Sequence, residues 1–136
     1  MIIALRFLLI LGGGVLLFMA AGFLSDPVGS GADFGLVIEG AHATTSARAD
    51  FTAFFGVSGI CYLWGALARR ADPLIIGAAL MLVALAARLL SLFIDGSFEG
   101  FIAPIVFETV FGVLALIGAA ALPGTKKRRG GIQSAL

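Results

Sequence analysis

The sequence predicts an all-α integral membrane protein, a bundle of four antiparallel transmembrane helices. Three observations lead there. Of 136 residues, 60% are hydrophobic and only 12% are charged, against roughly a quarter charged in soluble domains. A chain this short has no core large enough to hide that apolar surface from water, whereas lipid hides it readily. The apolar residues also fall into four runs of membrane-crossing length, and the basic residues gather at alternate ends of those runs.

The first run, Ile2 to Leu24, is broken only by Arg6. At 1.5 Å per residue it reaches roughly 34 Å, enough to cross the hydrocarbon with some tilt. A cleaved leader is the alternative, but the run exceeds the roughly 7–15 apolar residues of such segments, so a retained helix is expected. Gly12-Gly13-Gly14 falls in mid-membrane. A glycine run weakens a helix in water; in lipid an unbonded backbone is costlier, so the helix survives and the site favours close packing.

Ser25 to Asp50 is the one long connection. Asp26-Pro27 and Gly29-Ser30-Gly31 read as a turn. Phe34, Leu36, Val37 and Ile38 are too few to span and are expected in the interface. Thr44, Thr45 and Ser46 suit a helix N-cap ahead of Arg48 and Asp50. The second span is read as Phe51 to Ala68, closed by Arg69-Arg70 and a tight turn at Asp72-Pro73. The third runs from Leu74 to Ile94, and after Asp95-Gly96-Ser97 the fourth runs from Phe101 to Leu122. Residues 1–125 thus form one transmembrane domain, with spans at about 2–24, 51–68, 74–94 and 101–122, and residues 126–136 a basic cytoplasmic tail opening on Lys126-Lys127-Arg128-Arg129.

Orientation follows from the basic residues. Arg6, Arg69, Arg70 and the basic tail fall on one side, while the other has Arg48 alone against Asp26, Asp33, Glu39, Asp50, Asp95 and Glu99. The positive-inside rule places both termini in the cytoplasm. Tyr62 and Trp64, just before Arg69, suit the inner aromatic belt.

Two charges lie within the spans. Arg88 precedes Asp95 by seven residues and Glu108 follows Phe101 by seven, so each sits roughly 10 Å below the same surface on consecutive antiparallel helices. An arginine near the membrane centre costs about 2.5–3.5 kcal/mol; about a dozen Leu, Ile, Val and Phe in the third span return roughly 4–7 kcal/mol, so the span inserts. Gly77, Met81, Ala84, Arg88, Ser91 and Asp95 step by four and three, a single small or polar stripe. Glu108, Gly112, Ala115 and Ala119 repeat that design, and Thr52, Gly56, Gly59, Leu63 and Ala66 approach it. Small residues let helices approach in lipid, so a compact bundle is expected, with Arg88 and Glu108 pointing inward. The pair is either a staple fixing helix register or the wall of a polar pocket. Arg48, if it reaches the same carboxylate, would leave spare donors for a phosphate or carboxylate group; snorkelling beside Asp50 is its simpler reading.

Several classes are excluded or left without support. A single cysteine, Cys61, excludes an internal disulfide and a thiolate metal site. A single histidine, His42, excludes bis-histidine haem ligation. No cofactor, metal or nucleic-acid partner is expected; the expected partners are membrane lipids and a larger membrane complex.

In Arg48 followed by an aromatic-rich helix with Gly56 and Gly59, in Arg88-Leu89-Leu90-Ser91, in Asp95-Gly96, and in Pro104 with Glu108, the chain resembles a family of small bacterial membrane proteins, domain of unknown function 4345. The resemblance runs from about Arg48 to Leu122 and is looser in the first span. A glycine pair frequent in such proteins after the second-span arginine is replaced here by Phe51-Thr52-Ala53. The resemblance implies four spans in a bacterial inner membrane; the family has no established activity, so it lends no catalytic role. Three functional readings follow, in order of preference. The first is a non-enzymatic accessory component of a membrane complex. The second is a binder or carrier of a small amphiphile or anion using Arg88, Glu108 and Arg48. The third is an intramembrane enzyme on lipid substrates with Glu108 as acid or base.

Overall fold

The computed structural model describes residues 1–123. It contains α1 (Ile2–Ser25), α2 (Pro27–Ala32), α3 (Gly40–Ala68), α4 (Ala71–Ile94) and α5 (Ile102–Ala121), with no strand among the described residues. All but α2 are long and apolar enough to cross a membrane. The chain is therefore an all-α, multi-pass membrane protein. The basic tail from Lys126 lies outside the described residues.

α1 and α3 pack most extensively, α4 lies against α5, and α3 joins the two pairs. One antiparallel register governs the first pair. Arg6 Nε donates to the Ala66 carbonyl at 3.0 Å. Seven residues further along α1, Gly13 faces Gly59; a Cβ added to Gly59 would stand 2.9 Å from the Gly13 carbonyl oxygen. Seven residues beyond that, the Ala20 carbonyl accepts from Thr52 Oγ1 at 3.4 Å. At the far end Arg48 Nε donates to the Leu24 carbonyl at 3.0 Å. Each helix thus has an arginine from its partner seated on a carbonyl of its last turn, where intrahelical donors run out and the helix dipole is negative.

Tyr62 is the point where all four spans meet. It projects from α3, has no exposed surface, and donates its hydroxyl to the Phe111 carbonyl of α5 at 2.6 Å. Its ring lies so close to Gly77 of α4 that a Cβ there would sit 2.7 Å from it, and a Cβ on Gly12 of α1 would meet it at 3.7 Å. The core continues from it through Leu9, Leu16, Phe55, Leu74 and Met81. The expectation that Tyr62 belongs to the interfacial belt is therefore corrected: its hydroxyl finds an acceptor inside the bundle. Trp64 is half exposed and lies under the Arg70 guanidinium at 5.5 Å.

The connections also differ from expectation. The Asp26–Gly31 segment is helical: Asp26 caps α2 by accepting from the Gly29 amide at 3.0 Å, and Pro27 occupies the first turn, where its missing N–H is no loss. α3 begins at Gly40, ahead of Thr44–Ser46, and Thr44 bonds back to the Gly40 carbonyl instead of capping. Phe34 is not simply interfacial. It joins a cluster with Phe23, Phe51 and Phe55 that closes the end of the α1–α3 pair, while Val37 is 87% exposed. Between α3 and α4 the chain reverses at Arg69, a non-glycine residue with φ of 52°. Asp72 and Pro73 already belong to the first turn of α4.

Close approach at Gly59 and open space at Gly14 give a paired expectation. Gly59→Ala pushes against backbone and loses about 1–3 kcal/mol of stability, whereas Gly14, with nothing within 4 Å of an added Cβ, tolerates alanine without loss. Tyr62→Phe removes one interhelical hydrogen bond and lowers stability by about 0.5–1.5 kcal/mol. Thermal unfolding in nanodiscs measures all three.

Candidate functional site

The small stripe of α4 does not stay buried along its length. Its buried residues, Pro73, Leu74, Gly77, Ala78 and Met81, all belong to the half near the α3–α4 turn. Towards the acidic end, the end of the bundle that carries Asp26, Asp50 and Asp95, Ala84 and Arg88 are half-buried, and Ser91 and Asp95 are exposed. On α5 the buried face, Gly118, Ala115, Gly112 and Glu108, stops at Glu108. Gly112 lets Met81 and Leu82 approach, and nearer the acidic end the Arg88–Glu108 pair holds α4 against α5. The burial expected from the α4 stripe thus holds along one half of that helix only.

An open cleft of about 460 Å³ lies against the acidic end of α4, lined by Ala84, Ala87, Arg88, Ser91, Asp95 and Phe98 among others. α4 ends beside it at Asp95, and Phe98 of the following loop packs edge-on against Phe101. The cleft is lined by apolar side chains and by three polar groups spaced three and four residues apart, Arg88 and Ser91 on α4 and Asp95 at its C-cap.

Arg88 and Glu108 meet at its wall. Arg88 Nη2 donates to Glu108 Oε1 at 2.8 Å, and Nε donates to Oε1 and Oε2 at 3.1 and 3.2 Å. The two side chains are unequally placed: Glu108 is 6% exposed and Arg88 31%. Burial makes the carboxylate dependent on the guanidinium, because an unpaired charge there has neither water nor another donor. The guanidinium is not equally dependent. Its Nη1 makes no hydrogen bond within the described residues, and no buried side-chain nitrogen is left without a partner. Nη1 is therefore accessible, on a residue that lines the cleft. The pair is electrically neutral yet retains donors facing outward.

Arg48 stands elsewhere. Its Nε is committed to the Leu24 carbonyl, so it does not share Glu108 with Arg88. Helix-end carbonyls leave no mark in a sequence, which hides this partner from a search among side chains. Ser91 and Asp95 belonged to the predicted inward stripe, but they face the open cleft; the signal that they lie past the closed half is the absence of a matching small stripe on α5 beyond Glu108. His42 is exposed and Cys61 buried, and no group of His, Cys, Asp and Glu among the described residues could hold a metal ion.

No curated protein and no solved structure matches this chain. A family model does, described as Domain of unknown function (DUF4345), and it covers residues 4–119. The matched region takes in α1 as well as the Arg88–Glu108 pair, so the first span shares in a resemblance that its residues alone suggest only loosely. Four membrane-crossing helices and a match over most of the length agree: the chain belongs to the DUF4345 family.

Proposed function

We propose that this protein is a non-catalytic membrane component that binds a small amphiphile carrying an anionic group, with Arg88 as the anchor. The observation that supports this reading is the divided use of one guanidinium. The Nε–Nη2 edge neutralises buried Glu108, while Nη1 stays accessible beside a cleft with an apolar floor. A phosphate or carboxylate reaching Nη1 forms a charge-assisted hydrogen bond, and the attached hydrocarbon follows Ala84 and Ala87 towards lipid. The same pair also fixes the register of α4 on α5, so holding the bundle and binding a ligand are compatible roles. In the orientation we propose, the termini lie in the cytoplasm of a bacterial inner membrane and the cleft opens to the outer leaflet.

An accessory role in a larger complex draws support from a different place. Phe7, Ile10, Leu11, Gly14, Val15 and Phe18 border an apolar furrow of about 430 Å³ on α1, with open space over Gly14, a shape that admits a neighbouring helix. A protein that always migrates alone after gentle extraction from native membranes counts against that role. The enzymatic reading gains nothing from the geometry, since both Glu108 oxygens already accept from Arg88.

Unequal burial makes the two halves of the pair separable. Arg88→Leu strands the buried carboxylate and costs about 3–5 kcal/mol; Glu108→Leu leaves a guanidinium that reaches water and costs less. The double variant recovers most of the stability but retains less co-purifying amphiphile than the native chain, measured by thermal unfolding and native mass spectrometry. Recovery of stability, ligand retention and cellular phenotype together reduces the pair to a staple.

A further inference from the structure

Resting on the amphiphile reading, we infer that the ligand is zwitterionic: a phosphate for Arg88 and a primary ammonium for Asp95, the pattern of an ethanolamine phosphate headgroup. The charges of the cleft require a second group on the ligand. Arg88 is already balanced by Glu108, so the wall has donors to offer but no net positive charge. Asp95 adds a carboxylate to the same lining, and it forms no ion pair among the described residues. A simple anion gains the Nη1 donors and is repelled by Asp95. A ligand with a phosphate at one end and a cation at the other satisfies both.

The spacing suits a short headgroup. Arg88, Ser91 and Asp95 occupy one face of α4, and the seven-residue step from Arg88 to Asp95 is roughly 10 Å of helix, shortened by the reach of both side chains. Ser91 lies between them, and its hydroxyl makes no hydrogen bond among the described residues. A primary ammonium has three donors to divide between the Asp95 carboxylate and the Ser91 hydroxyl. A quaternary ammonium has none and is recognised by aromatic cages; here Phe98 is the single aromatic lining the cleft. The order of groups also follows depth. The phosphate site is deeper, at the half-buried arginine, and the ammonium site lies at the exposed helix end.

The test uses the full chain in nanodiscs, challenged with lipids of identical acyl chains and ethanolamine, choline or glycerol headgroups, with retention read by native mass spectrometry. The ethanolamine lipid is expected to be retained about fivefold or more over the other two, and Asp95→Asn to abolish that preference without lowering retention of the glycerol lipid. Displacement by free phosphoethanolamine but not free phosphocholine supports the headgroup chemistry and makes the soluble ester a sufficient ligand. Displacement by neither, with the preference intact, supports the lipid as the source. Retention of the glycerol lipid equal to or above that of the ethanolamine lipid, or a preference unchanged in Asp95→Asn, overturns the zwitterion assignment while leaving anionic binding at Arg88 in place. Lipid retention unaffected by the Arg88→Gln, Glu108→Gln double variant removes the amphiphile reading itself.

Discussion

Tyr62 imposes the constraint on which the rest of the bundle depends. A phenol inside a membrane protein needs an acceptor for its hydroxyl and room for its ring, and both come from other helices. The Phe111 carbonyl supplies the acceptor, and the absent side chains of Gly77 and Gly12 supply the room. Three helices are thereby drawn to one residue of a fourth. The consequence is asymmetry along α4: its half beside Tyr62 is buried at Leu74, Gly77, Ala78 and Met81, and its other half is only partly buried or exposed. The cleft at Arg88 lies on that less buried half of α4.

Three arginines near the helix pairs illustrate three placements of a charge in an apolar protein. Arg6 and Arg48 each donate to a carbonyl in the last turn of a neighbouring helix, which satisfies an orphan acceptor and sets a positive group at the negative end of a dipole. Both placements lock α1 against α3. Arg88 instead meets a carboxylate more deeply buried than itself. Of the three it is Arg88 that lines the cleft at the end of α4, and this place, rather than its free donors, marks it as the candidate binding residue.

Much of this was legible in the residues. Run lengths and the scarcity of charge reveal four crossings, because a membrane imposes length and polarity on any helix that spans it. The depth of Arg88 and Glu108 could be counted from the nearest polar turns, and the two charges meet as counting suggests. Other features leave no such trace. Tyr62 was misplaced because tyrosine favours interfaces on average, and its exception depends on a carbonyl and two glycines from other helices. The bond from Arg48 to the Leu24 carbonyl is not legible because its partner is a backbone atom. The early start of α3 and the α2 turn of helix were missed because polar, glycine-rich residues read as loop. The cleft lies on α4 and the loop after it, a product of the packed helices that no stripe encodes alone.

The central claim is that the bundle is closed around Tyr62 and open, wet and polar around Arg88. Thiol accessibility measures this most directly, using a Cys61→Ala background with single cysteines placed by Ser91→Cys, Ala78→Cys and Val83→Cys, the last at an exposed, lipid-facing position. In intact membranes a charged, membrane-impermeant thiol reagent should label Ser91→Cys readily and leave both others unlabelled. Labelling of Ser91→Cys no faster than Val83→Cys contradicts the account, since it would mean that water does not reach the cleft.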